Sequence, residues 1–221
     1  MGDVRGKILK AMLQLIDVQL MPVVLLENVS GLAKRHRKVL DYVCKFLRER
    51  NYTVFWNIMD AADCKLPQHR ERLFINGVQT ERVHGEFEWP AKLAKVGIDS
   101  ILDPLTSREK HMDLAKTCPP ASQTTARRNL QKGLETIREA GLDPNTSPFV
   151  MDLDSSQLAI MHNISPCLTR SRAQNGGFWI STRGRRFTTA EMMRLMGTEI
   201  RKPSSVSDRQ FRALLGNGIP I

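Results

Sequence analysis

Acidic residues are scarce in this 221-residue chain, 23 against 33 lysines and arginines, and aromatic residues make up only 6%. Long apolar runs are absent. The longest strongly apolar run, PVVLL at 22–26, is far too short to cross a bilayer, and the N-terminus has no signal-peptide core. MGDVRG carries Gly6 where a myristoylation motif needs Ser or Thr. Cys44, Cys64, Cys118 and Cys167 show no Cys-x-x-Cys spacing, which argues against a zinc site and against a disulfide framework. No metal ligands are assigned. Reduced thiols in an intracellular protein are the simplest account, in the nucleus of a eukaryote or the cytoplasm of a bacterium.

What is present is a globular composition, 41% hydrophobic and 25% charged, in a chain long enough for one or two domains. The net charge of +10 and the pI near 9.8 favour a polyanionic partner, because each cation brought to a phosphate releases condensed counterions. A basic surface without such a partner has the same composition. The charge is uneven: 13 basic and 8 acidic residues lie in 1–80, 10 and 12 in 81–165, and 10 and 3 in 166–221. The last segment is therefore the leading candidate for phosphate contact. Arg170, Arg172, Arg183, Arg185 and Arg186 follow one another with no acid between them.

Residues 7–20 have apolar positions at helical spacing, and MPVVLLEN reads as a strand buried on both faces because its apolar run does not alternate. LAKRHRKVLDYVCKFLRER predicts one amphipathic helix with basic residues opposite its apolar stripe, ended by Asn51 in a left-handed cap. TVFWNIM at 53–59 and RLFINGV at 72–78 are strand-like. Residues 81–165 are broken by proline and glycine, with one helix predicted at 125–140. Thr188 with Glu191, and Ser207 with Gln210, predict capping boxes for two short helices closed by Gly197 and Gly216. Helix, strand, helix, strand, strand belongs to an α/β sheet, whose ligands collect beyond the carboxyl ends of its strands. Glu27 falls at such an end.

LLENVSGL at 25–32 and LPQHRERLFI at 66–75 resemble the glutamate motif and the Gln-x-Arg-x-Arg motif of DNA cytosine-5 methyltransferases. Asp3, Arg5, Gly6 and Leu9 resemble the motif before the glutamate strand, GRRFTTAEMMRLMG at 184–197 the penultimate motif, and GNGIPI at 216–221 the last. The resemblance implies part of an S-adenosylmethionine-dependent, Rossmann-like methyltransferase sheet with a small target-recognition domain. Residues 1–80 and 166–221 would be catalytic and 81–165 would recognise the target.

By that resemblance, Glu27 hydrogen-bonds N3 and the exocyclic amine of a flipped cytosine, Arg72 reaches its O2, and Arg70 supports the loop. Asn28, Gln68, Thr169, Arg170, Arg172 and Arg185 become substrate-side residues, and Asn217 sits near S-adenosylmethionine. Local readings remain beside these. Glu27 could cap the helix near Ser30, QHRER could be a solvated turn, and Gly176-Gly177 could be a hairpin turn or a close approach to DNA. Phe178 and Trp179 read as core.

The family's Phe-x-Gly-x-Gly loop, its acidic cofactor residues and its Pro-Cys-Gln nucleophile loop do not occur in this sequence. The resemblance thus implies duplex DNA as partner, a chain inactive alone, and a complementary N-terminal half supplied elsewhere. A transfer-RNA cytosine-5 methyltransferase and a non-catalytic DNA-binding relative share the same motifs.

Overall fold

A computed structural model describes residues 4–110 and 117–220; Asp3, the side chain of Arg5, and Ile221 lie outside the described residues. Two compact units emerge, Met1–Asp60 with Glu71–Lys92, and Ala61–Arg70 with Leu93–Ile221.

The first unit holds α1 (Val4–Gln19), β1 (Val23–Val29), α2 (Gly31–Arg35), α3 (Arg37–Arg48), β2 (Tyr52–Asp60) and β3 (Glu71–Gln79). Its sheet runs β1-β3-β2, with β3 antiparallel to both neighbours. Buried positions on α3 fall at Leu40, Val43, Cys44 and Leu47, the spacing that puts one apolar stripe on a helix. That stripe, with Leu13 and Ile16 of α1, covers Val24, Leu26, Leu73 and Ile75. Leu40, Val43, Leu47 and Leu73 have no exposed surface, and burying each such side chain contributes about 1.5–3 kcal/mol.

Two expectations need correction here. β1 is covered on one face only: Val24 and Leu26 are buried, while Val23, Leu25 and Val29 are 60%, 63% and 56% exposed. The physical reason is that α1 and α3 both pack on the same side of the sheet, and an unalternating sequence cannot report which side is covered. The predicted single helix is two, because His36 leaves helical geometry (φ −126°, ψ 43°) and separates α2 from α3. Asn51 does adopt the left-handed conformation, at φ 63°.

The second unit contains α4 (Ser107–Lys110), α5 (Thr124–Glu139), β4 (Phe149–Asp152), β5 (Ala159–His162), α6 (Arg170–Gln174), β6 (Trp179–Ile180), β7 (Arg185–Arg186), α7 (Thr189–Leu195) and α8 (Asp208–Asn217). Its sheet runs β5-β4-β6-β7. Ile98, Ile101 and Val150 share one core with Leu168, Phe178, Met192 and Phe211, so packing runs across the sequence boundary at 165/166. α5 lays Leu130, Leu134 and Ile137 on Phe149, Met151 and Trp179. Phe178 and Trp179 are buried, as their reading as core required.

Both capping boxes form, at Thr188 with Glu191 and at Ser207 with Gln210. Gly197 has φ 65°. Gly216 is not a helix stop, however, because α8 continues through it to Asn217. A Cβ on Gly216 would lie 2.5 Å from the carbonyl oxygen of Thr169, so this glycine is what lets α8 press against the start of α6. Gly216→Ala should cost about 1–3 kcal/mol in urea denaturation through overpacking, whereas Leu214→Ala at an exposed position should stay near wild type. Equal midpoints for the two variants would refute the packing role of Gly216.

Candidate functional site

β1 and β3 pair with Glu27 opposite Phe74 and Val29 opposite Arg72. Alternation along each strand puts Glu27, Val29, Arg72 and Phe74 on the face that α1 and α3 leave uncovered. Glu27 and Arg72 are then diagonal neighbours, a separation long side chains can bridge. The Nε of Arg72 lies 2.8 Å from Oε1 of Glu27, with the side chains 15% and 27% exposed. Arg72 also donates from Nη1 to the carbonyl of Glu71, at 2.7 Å. Asn28 bonds locally, its Oδ1 accepting from the Val29 N–H at 2.8 Å.

The pair offers an ionic acceptor beside a planar, multiply donating group. A pyrimidine edge that presents a donor and an acceptor side by side is its chemical complement. Ser30 donates to Glu71 at 3.0 Å, and Lys34 forms an ion pair with the same carboxylate. Glu71 was not singled out in the sequence, and only the strand register makes its position visible.

The other motif residues belong to the second unit, each described there. Arg70 is buried at 3% exposure and donates to the carbonyls of Leu168 and Gly218, both at 2.7 Å. Gln68 is fully buried; its Oε1 accepts from the Leu168 N–H at 2.8 Å and its amide donates to the Leu195 carbonyl at 3.1 Å. Both side chains tie the loop before α6 to neighbouring backbone. Glu27 and Arg72 come together, while Arg70 and Gln68 serve the backbone of their own unit. Thr169 and Arg170 are exposed at the start of α6, and Asn217 is exposed on the last turn of α8. Gly177 is buried with φ 74°, and a Cβ there would come within 3.2 Å of Phe187, so Gly176-Gly177 makes a packed turn.

The arginine run of 170–186 is largely neutralised on folding. Arg172 pairs with Asp152 at 2.7 Å, Arg186 with Asp154 at 2.7 Å, and Arg183 lies 3.7 Å from Asp99. Arg185 is held by Glu191, which has no exposed side-chain surface, at 2.9 Å and by Glu109 at 3.1 Å. Asp99, Glu109, Asp152 and Asp154 come from the segment that is acidic in sequence and Glu191 from the basic one, so the linear charge count did not show that these arginines are paired. Glu191 also accepts from the backbone N–H groups of Asp103 and Thr188. Its capping signature was legible in the sequence; its ion pair was not.

Removing Arg185 would strand a buried carboxylate. Arg185→Gln should cost about 3–5 kcal/mol in denaturant unfolding, and a wild-type midpoint would reject the network. Acid should act on the same cluster. The backbone N–H of Thr106, and then its hydroxyl and Arg185, hold Glu109 below its ordinary 4.5 despite burial. Burial pushes Asp103 up from 3.8, but the Arg194 and Thr188 bonds outweigh it and leave it lowered. Lowered carboxylates stabilise the fold above their ordinary values and lose that contribution as pH falls through the folded ones. The unfolding temperature should thus hold between about pH 7 and 5 and drop below about pH 4; a flat profile to pH 3 would contradict this.

The model for C-5 cytosine-specific DNA methylases matches residues 1–221. The chain belongs to that family. Curated relatives include the Type II methyltransferase M.DsaV of Dactylococcopsis salina, 36% identical over 100 residues that make up 43% of this chain and 28% of that protein. M.SsoII of Shigella sonnei is 34% identical over 106 residues, 46% of this chain and 28% of that protein. M.BsuFI of Bacillus subtilis is 28% identical over 204 residues, 89% and 44% respectively. The match thus spans less than half the length of each of these relatives.

Among solved structures, the Entamoeba histolytica methyltransferase EhMeth aligns with a TM-score of 0.62 at 16% identity, over 99% of this chain and 65% of that one. The S. pombe Dnmt2 methyltransferase aligns at 0.59 and 19% identity, over 98% and 68%. These likenesses establish the α/β methyltransferase fold. The family generally uses S-adenosylmethionine, and a single exposed Asn217 does not by itself make a site for it. Among the described residues no helix is long and apolar enough to cross a membrane.

Proposed function

We propose that this chain supplies the cytosine-recognising part of a DNA (cytosine-5) methyltransferase, which moves a methyl group from S-adenosylmethionine to C5 of a cytosine flipped out of duplex DNA. The observation that carries the reading is the Glu27–Arg72 pair on the uncovered sheet face. C5 is a poor nucleophile until a thiolate adds to C6 and the ring nitrogen N3 takes on a proton. Glu27 holds that proton and the exocyclic amine, and Arg72 donates to O2 and fixes the carboxylate's orientation. Arg70 and Gln68 are positioning residues that brace the loop leading to Thr169 and Arg170, and these two face the substrate. Asn28 shapes the strand end beside Glu27. Arg172 and Arg185 act through the carboxylates that hold them.

None of the four cysteines stands in a Pro-Cys-Gln setting. The thiolate is therefore assigned to a complementary segment, which also supplies the main contacts to S-adenosylmethionine, with Asn217 as this chain's contribution. S-adenosylmethionine, when bound, supplies the electrophilic methyl.

In an enzyme completed with that segment, Glu27→Ala should lower methyl transfer by at least about 100-fold while duplex affinity stays within a few-fold. Tritiated methyl incorporation and filter binding measure the two. Parallel loss of both would remove Glu27 from the chemistry, and methylation of transfer RNA in preference to duplex DNA would overturn the substrate assignment.

A further inference from the structure

Lys34, Arg35, His36, Arg37 and Lys38 are five consecutive basic residues, all exposed. They straddle the break at His36, two in the last turn of α2 and two in the first turn of α3. Neither helix has an acid in its first turn, and cations at the start of α3 oppose its dipole, an arrangement that stability alone would not favour.

Two members of the run fasten it. Lys34 pairs with Glu71, and Arg37 bonds Asp41 at 2.9 Å while lying 4.8 Å from the centre of the Trp56 ring. Arg35, His36 and Lys38 stay directed to solvent, and the exposed stripe continues along α3 through Tyr42 and Lys45 at i+4 and i+7 from Lys38. Lys45 has only a loose, exposed partner in Glu49 at 3.7 Å. This is the reverse of the 170–186 arginines, whose charge is answered by carboxylates inside their own unit.

We propose that this basic elbow is a phosphate-contact surface for the backbone of duplex DNA. The anchor also gives it a location. Glu71, which holds Lys34, precedes Arg72 on β3, so the elbow stands at the same end of the sheet as the Glu27–Arg72 pair, on the face that α3 covers. The inference rests on DNA as the substrate, and it adds a surface in the first unit that base chemistry alone does not require.

The test uses the full chain and a fluorescein-labelled duplex, with anisotropy titrations at several NaCl concentrations. Arg35→Gln with Lys38→Gln should lower the slope of log K against log salt by about 2, near 0.9 for each phosphate contact. Lys7→Gln with Lys10→Gln removes the same charge from exposed positions on α1 of the same unit and should leave the slope unchanged. Circular dichroism melting confirms that both variants fold. Equal slope changes in the two variants would reduce the effect to net charge and overturn the proposal. Wild-type binding with an unaltered slope in the elbow variant would also overturn it, leaving the run to an acidic protein partner and the substrate reading intact. Absence of duplex binding by the wild-type chain would overturn the elbow proposal and leave the substrate reading to the completed enzyme.

Discussion

The antiparallel register between β1 and β3 is the constraint on which the site depends. With Glu27 opposite Phe74 and Val29 opposite Arg72, a carboxylate and a guanidinium share one face and reach each other diagonally. A slip of one residue would send Arg72 into the apolar face now filled by Leu73 and Ile75, and Leu73 out of it. The hydrophobic packing of α1 and α3 on Val24, Leu26, Leu73 and Ile75 therefore fixes the polar pair on the opposite side. Packing energy and site geometry are set by one alternation.

The second unit solves a different problem, how to hold several arginines without leaving charge buried. Arg185 is partly buried against a fully buried Glu191, and Arg172 and Arg186 take carboxylates from the β4 segment. Breaking such pairs is costly because the remaining charge stays desolvated. Their effect is on the shape of the unit, and they hold the turn after α6 and the start of α7 in place. Arg70 and Gln68 work in the same way on neutral backbone, supplying donors to carbonyls that would otherwise be buried unsatisfied.

Charge neutralised within one unit contrasts with charge left open in the other. In the 34–38 run, Lys34 pairs with Glu71 and Arg37 with Asp41, while Arg35, His36 and Lys38 are exposed. Electrostatic surface is thus a property of the folded distribution, and a count along the chain does not show which of its charges are paired. The exposed apolar residues of β1, Val23, Leu25 and Val29, show the same principle for hydrophobic surface: composition states how much there is, and the fold states where it goes.

Much of the architecture was legible in residue order. The 3.6-residue stripe of α3, the β-branched strands, the two capping boxes and the left-handed Asn51 are local patterns, governed by neighbours within four residues, and they formed where the pattern lay. The glutamate and Gln-x-Arg-x-Arg motifs likewise marked the family. Residue order could not show that β1 is covered on one side, that Gly216 lies inside α8, that Arg70 turns to backbone while Arg72 turns to Glu27, or that Asp152, Asp154 and Glu191 neutralise the C-terminal arginines. Each of those outcomes depends on groups far apart in sequence and close in space. Burial and ion pairing are decided by distance through the fold, which local propensity does not encode.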